Sequence, residues 1–424
     1  MPSWPIEALS ALAVASIFAL WAGLAQAPTS SVTWDAVQYY LVASQLAAGQ
    51  VPSAEAPYVY RLGLPWLVAQ FWPADPARGF FLINLGCGLA IAALLSLWLR
   101  SGVERWSVRL ALVALFAGAW HAPIRYVHFN GGYVDPPFLV LVLVGLLMLQ
   151  GMWNAARPRQ VAAFTALVAV GAFIRETMLM LPAAAMLLGN PIQVPLAVGE
   201  AFRRMRWFLL VPIAAGVVVI AITHAMVVAD TTRSFFAAAL QWIRKPPTSY
   251  VLAWFTAYGP VLALLAFDWR QVVADLRERQ HLAGFLLLCA VLAYFGGSDT
   301  ERFVFWAMPV VYLLLGRSFE RHRRLFSSVM LGTGLLVAQA ISARILWTIP
   351  DPRLDAVALG ANAGLGERLY SIADRVLVID NFHWNLWSSF GSEPFKLVRL
   401  SMYVVVTAVL VWGLHWQSGR GAVR

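Results

Sequence analysis

The chain has 424 residues, 60% of them hydrophobic and only 12% charged, with a mean hydropathy of +0.70. Soluble domains run near half apolar and about one quarter charged, so these values exclude a soluble globular protein and point to an all-α integral membrane protein. The net charge of +10 is almost wholly arginine, Lys245 and Lys396 being the two lysines; basic loops beside a membrane serve as orientation signals and head-group contacts, which argues against nucleic acid.

A bilayer core of roughly 30 Å needs about 20 apolar residues per helix. Apolar runs predict spans at Pro5–Ala25, Gly79–Leu99, Val108–Trp120, Tyr133–Trp153, Val161–Phe173 and Met178–Leu188. They continue at Trp207–Val228, Val251–Phe267, Leu282–Phe295, Phe303–Leu315, Ser327–Trp347 and Leu400–Leu414. That makes about twelve transmembrane helices, with no internal repeat. The first run ends Ala25-Gln26-Ala27, which mimics a cleavage site, but no basic residue precedes it, so it reads as a retained helix. Cys87 and Cys289 lie inside apolar runs and read as small buried hydrophobes.

The basic clusters fall between alternate runs: Arg100–Arg109, Arg157–Arg159, Arg203–Arg206, Arg270–Arg279 and Arg317–Arg324, with Arg420 and Arg424 in the tail. Placing them inside makes the amino terminus cytoplasmic. The stretch Val161–Leu188 keeps this order only as two short helices meeting at Arg175 and Glu176. A single long helix would hold both charges near the bilayer centre. The outer face then carries the loops 26–78, 121–137, 230–250, 296–302 and 348–395, where functional side chains are sought.

In the first loop, Asp35 opens the half-polar segment "WDAVQYYLVASQLAAGQ", and Arg61 precedes a second short apolar segment, Leu62–Phe71. Neither can cross, so both are expected along the interface, with Tyr39, Tyr40, Tyr58, Tyr60 and Trp66 at head-group depth. Asp35 suits the first turn of a helix, where it complements the dipole. A carboxylate beside so apolar a surface also suits proton removal from a hydroxyl.

Arg175, flanked by long apolar runs, needs a partner, either an acid on another helix or a lipid phosphate. Its neighbour Glu176 cannot serve, because adjacent helical residues do not face each other. Arg302 is a second candidate cation, with Asp299 and Glu301 as local ion-pair alternatives, and Arg244 with Lys245 a third, with lipid head groups as the simpler use. If the 121–128 segment is helical, His121, Arg125 and His128 share a face, although Pro123 weakens that premise and the spacing matches no zinc pattern. Asp135 before Pro136 reads as a helix cap or as a second acid in the cleft. Trp384 and Trp387 in the last outer loop read as a sugar-stacking surface or an interfacial belt, and His383 as an acceptor contact.

The acidic residue after the first span and the two interfacial segments, together with "PYVYRLGLPWLVA", "VGAFIRETMLMLPAAAML" and "ERFVFWAMPVVYLLLG", resemble the GT-C superfamily of membrane glycosyltransferases. The resemblance covers chiefly Pro5–Leu188. It divides the chain into a core, 1–230, with the first outer loop at 26–78, and a variable half, 231–424. It implies transfer of a sugar from a polyprenyl-phosphate-type donor to a lipid, glycan or protein hydroxyl at the periplasmic face of a bacterial inner membrane. The reaction would be inverting, with Asp35 as general base and Arg175, Arg302, Arg244 and Lys245 as donor-phosphate contacts. Substrate contacts would come from Tyr39, Tyr58, Arg61, His121, Arg125, His128, Asp135, Glu176, His383 and Trp384. Some members pair two acids around a divalent cation; here Glu55 is the nearest acid in sequence to Asp35, which leaves the metal in question. A transporter or flippase, or a non-catalytic assembly factor, are the competing readings. The predicted topology is checked by a reporter fused after Leu188, which should report from the cytoplasm; an external signal would merge the fifth and sixth spans.

Overall fold

The computed structural model describes residues 3–25, 35–152, 156–187, 207–230, 245–297, 299–324, 329–343, 345, 388 and 393–421. The chain begins with α1 (Trp4–Ala25), followed by two short helices, α2 (Asp35–Ala47) and α3 (Gly63–Phe71). Both are too short to cross a bilayer, as predicted. α4 (Pro76–Leu99) starts where Asp75 accepts the Arg78 amide at 3.0 Å and Pro76 fills the first turn, a standard entry for a helix. Next come α5 (Trp106–Gly118), α6 (Pro123–Phe129), α7 (Asp135–Met152), α8 (Pro158–Ile174) and α9 (Met180–Leu187). The second half supplies α10 (Leu210–Ala225), α11 (Pro247–Tyr258), α12 (Leu262–Phe267), α13 (Trp269–Glu278) and α14 (Gln280–Phe295). It closes with α15 (Thr300–Phe305), α16 (Met308–Arg321), α17 (Val329–Ser342) and α18 (Glu393–Gly421).

About half of the twelve expected spans are met by long apolar helices among the described residues. Six stretches among the described residues are long and apolar enough to cross: Trp4–Leu24, Pro76–Leu99, Trp106–Phe129, Asp135–Met152, Pro247–Phe267 and Lys396–Ser418. Four apolar helices are shorter. α8, with 17 residues, reaches only about 25 Å at 1.5 Å per residue. The run at Phe303–Leu315 is not one helix, because it breaks between α15 and α16, where Pro309 opens the second. The break between Val161 and Leu188 does fall at Arg175, whose backbone is extended (φ −158°, ψ 126°).

A detail without a sequence signal pins the first loop. Ser53–Ala54 (β1) pairs in parallel with Val228–Ala229 (β2), and the Gln45 side chain bonds both the amide and the carbonyl of Ser53. α2 turns Ala36, Tyr39, Val42 and Ala43 inward, one helical face.

The polar groups separate to two ends. At one end, α1 begins and α4 finishes: buried Glu7 takes two hydrogen bonds from Arg109, at 2.6 and 2.9 Å, and one from the Ser96 hydroxyl. Arg279 donates to the Ser101 carbonyl there, while Arg317 pairs with Asp275 and Arg321 with Asp268 and Asp275. Arginines from the predicted basic clusters at 100–109, 270–279 and 317–324 thus meet at a single end; the 203–206 cluster lies outside the described residues. Removing one partner of a buried ion pair leaves the other charge uncompensated. Glu7→Gln should therefore cost about 3–5 kcal/mol and lower the thermal unfolding temperature in detergent. An unchanged temperature would mean that the Arg109 guanidinium reaches water.

Candidate functional site

The other end holds the residues singled out from sequence. Asp35 opens α2, and each of its oxygens accepts one hydrogen bond: Oδ1 from the Tyr58 hydroxyl at 2.9 Å and Oδ2 from Arg302 Nη2 at 2.8 Å. The same Nη2 lies 3.3 Å from Asp299 Oδ2, and Arg302 Nε lies 3.1 Å from Asp135 Oδ2. Asp135 Oδ1 in turn accepts from Arg175 Nη1, and the Arg175 guanidinium lies over the Trp306 ring at 4.3 Å. The result is an alternating chain, Asp35–Arg302–Asp135–Arg175, drawn from α2, α15, α7 and the break after α8.

Local sequence explains each placement. Arg302 projects from a helix of six residues, bounded by the Asp299 turn and the Pro309 start of α16. Lys245 fixes that turn, its ammonium donating to the carbonyls of Ala293 and Gly297 and to the Thr300 hydroxyl at 2.8–2.9 Å. Asn84 on α4 donates to the carbonyls of Gly131 and Tyr133, steering the chain into Asp135. Gly132 allows that strand to touch α2, because a Cβ there would stand 2.5 Å from Ala36 Cβ and 2.7 Å from the Tyr40 ring.

Beside this chain lies a second pair. Arg61 donates to both oxygens of Glu176, at 3.0 and 2.5 Å, and to the Tyr39 hydroxyl at 3.0 Å. The sequence neighbours Arg175 and Glu176 therefore look to different partners, as geometry required. The Arg61 charge holds the Glu176 carboxyl down at about 2 against the opposing effect of burial.

Three carboxylates face two guanidiniums in the first cluster, with the Lys245 ammonium close enough to feel Asp299. Burial pushes the Asp35 carboxyl up, but the Arg302 charge and the hydrogen bonds from Arg302 and Tyr58 outweigh it and hold it below its ordinary value. Asp299 goes the other way: burial raises it, and the nearby charges of Asp35 and Asp135 add to that, against the opposing pull of Arg302. The side chains of Asp35, Arg302 and Asp299 keep 16%, 12% and 13% of their surface, so this corner of the cluster is the part a solute can reach.

Several expectations need correction. Arg175 has its acid on another helix, Asp135, so it is not a free cation for phosphate; a buried guanidinium recruits a counter-ion before any ligand arrives. Lys245 is buried on backbone carbonyls instead of reaching lipid head groups. Asp135 is an ion-pair member more than a cap. Tyr39 is buried inside the protein, while Trp66 is exposed. His121 lies before α6, which Pro123 opens, so His121, Arg125 and His128 do not share a helical face. Arg125 donates to the Gly118 and Ala343 carbonyls and lies over the Trp21 and Trp120 rings, a role in packing. His121 stacks on Tyr126, and His128 meets the Phe81 ring edge-on. Among the described residues, no group of three or more His, Cys, Asp or Glu side chains is arranged to hold a metal. Arg244, His383, Trp384 and Trp387 lie outside the described residues.

Sequence reasoning took Asp299 as a local partner of Arg302 and missed its place beside Asp35. The i, i+3 spacing of the two was the available signal. Trp306, the platform for Arg175, had none.

Fold and site define the class: an all-α chain with several helices long and apolar enough to cross a membrane, carrying a partly exposed carboxylate–guanidinium cluster at one end. Compared with known proteins, the chain matches no family model, no curated protein and no solved structure. The tightness at Gly132 is open to test. Overpacking such a contact costs about 1–3 kcal/mol, so Gly132→Ala should lower the denaturation midpoint. A wild-type midpoint would show that α2 is free to shift.

Proposed function

We propose that the chain is a bacterial inner-membrane glycosyltransferase. It moves a sugar from a polyprenyl-phosphate-type lipid to an acceptor hydroxyl at the face opposite the arginine-rich end. The observation that carries this reading is Asp35 itself. It is a carboxylate on a helix too short to cross, kept ionised by Arg302 and Tyr58, and partly open to solutes. An ionised acid in that position accepts a proton from an alcohol as the alcohol attacks.

The acceptor oxygen forms its bond to the anomeric carbon while the bond to the lipid phosphate breaks, and the phosphate leaves with the electron pair. One displacement without a covalent sugar intermediate inverts the configuration. The loosest contact in the cluster, Arg302 to Asp299 at 3.3 Å, is the one a phosphate oxygen replaces. A cavity of about 620 Å³, with apolar walls including Phe18, Leu112, Leu115, Leu335 and Ala340, gives a hydrocarbon chain a place along α5. Orientation follows the arginine-rich end, which the positive-inside rule assigns to the cytoplasm.

One feature favours a second reading. The interrupted pair α8 and α9, with Arg175 at the break, is the kind of discontinuous helix transporters use around a substrate. Transport predicts movement of an amphiphile into vesicles without new bonds.

The deciding measurement compares wild type with Asp35→Asn on labelled polyprenyl-phosphate sugars. Donor binding should persist while transfer falls by roughly 100-fold or more. Undiminished transfer in the variant would remove Asp35 from the mechanism.

A further inference from the structure

We propose that Asp299 is a second catalytic carboxylate of this site, the group on which the acceptor's proton comes to rest. The inference deepens the glycosyl-transfer reading and rests on it. Asp35 and Asp299 are separated by most of the chain, yet both approach the same atom, Arg302 Nη2, at 2.8 and 3.3 Å. They differ in how they are bound. Both oxygens of Asp35 are taken, one by Tyr58 and one by Arg302. Among the described residues Asp299 has one long ion pair, and it caps no helix amide with its side chain. Two of the roughly four lone-pair sites of Asp35 are held by donors, which favours its ionised form, whereas Asp299 carries fewer donors and so retains a proton more readily.

The charges around Asp299 come from every neighbouring element. On its own helix stand Arg302 and Glu301, the latter turned to accept the Ser388 amide. Asp35 faces it from α2, Asp135 from α7 and Arg175 from the break after α8. Tyr126 on α6 and Lys245 before α11 feel its charge. Burial and the two other aspartates raise the Asp299 carboxyl, while Arg302 and Tyr58 depress Asp35. Two carboxylates driven apart in this way divide the acid–base work.

The balanced step follows. The hydroxyl proton leaves as the carbon–oxygen bond forms, is received at Asp35 and passes to Asp299, leaving Asp35 ionised against Arg302. The lipid phosphate departs as an anion, and Asp299 then yields its proton to water.

The test is a pH–rate profile of transfer from labelled polyprenyl-phosphate sugars by the full-length wild type, Asp299→Asn and Asp299→Glu. Both acids must be ionised to start, so the wild-type rate should fall with acid through the higher, Asp299-like value. In Asp299→Asn, kcat should drop roughly 100-fold with KM unchanged, and the acidic limb should move to lower pH. Asp299→Glu should regain part of kcat. An Asp299→Asn enzyme with wild-type kcat and limb overturns the proposal. So does a loss confined to KM with the limb unmoved, which would make Asp299 a positioning residue for Arg302. Should Asp299→Asn not fold, Asp299→Glu decides: a shifted limb with lowered kcat supports the assignment, and an unmoved limb overturns it. Failure of the wild type to transfer any sugar at any pH defeats the glycosyl-transfer reading and this inference together, whereas an active wild type with an indifferent Asp299→Asn defeats the inference alone.

Discussion

The arrangement at the functional end depends on one guanidinium. Arg302, from a six-residue helix late in the chain, is drawn to carboxylates on α2, on α7 and in its own turn. Charges buried together are tolerated only when opposite signs alternate at short range, because desolvation is otherwise uncompensated. Arg302 supplies that alternation and so fixes where the short helix α2 sits against its neighbours. The short α15 suits this role, since a continuous helix through Trp306 would give Arg302 a different direction and depth.

Both ends of the molecule are stitched by arginine, but the stitching differs in kind. At the amino-terminal end Glu7 meets Arg109 and the Ser96 hydroxyl, and the Asp268–Asp275 group meets Arg317 and Arg321. There Glu7 faces both Arg109 and Arg100, and arginine is in excess, which suits scaffolding at a basic face. At the opposite end three aspartates share two arginines, and the least bound of them is partly open to solutes.

The cations nominated for the donor phosphate turn out to be occupied. Arg175, Arg302 and Arg61 each hold an acid, and Lys245 holds backbone carbonyls. Any phosphate that came to these arginines would have to exchange for a carboxylate.

Composition and apolar runs alone determined the mostly helical class, the approximate positions of the long helices, the helix break at Arg175 and Asp35 at the start of a helix too short to cross. These are local properties: hydropathy, charge placement and helix-terminus chemistry act within a few residues. Six stretches among the described residues are long and apolar enough to cross, and a run such as Phe303–Leu315 is apolar throughout while its backbone is broken before Pro309. Only the tertiary structure decided which acid met which base. Asp35 with Arg302, Asp135 with Arg175, Arg61 with Glu176 and Glu7 with Arg109 are pairings across large sequence separations. Such pairs form because each buried charge takes the nearest compensating charge in space, and nearness in space is a property of the packed helices that no stretch of sequence carries by itself.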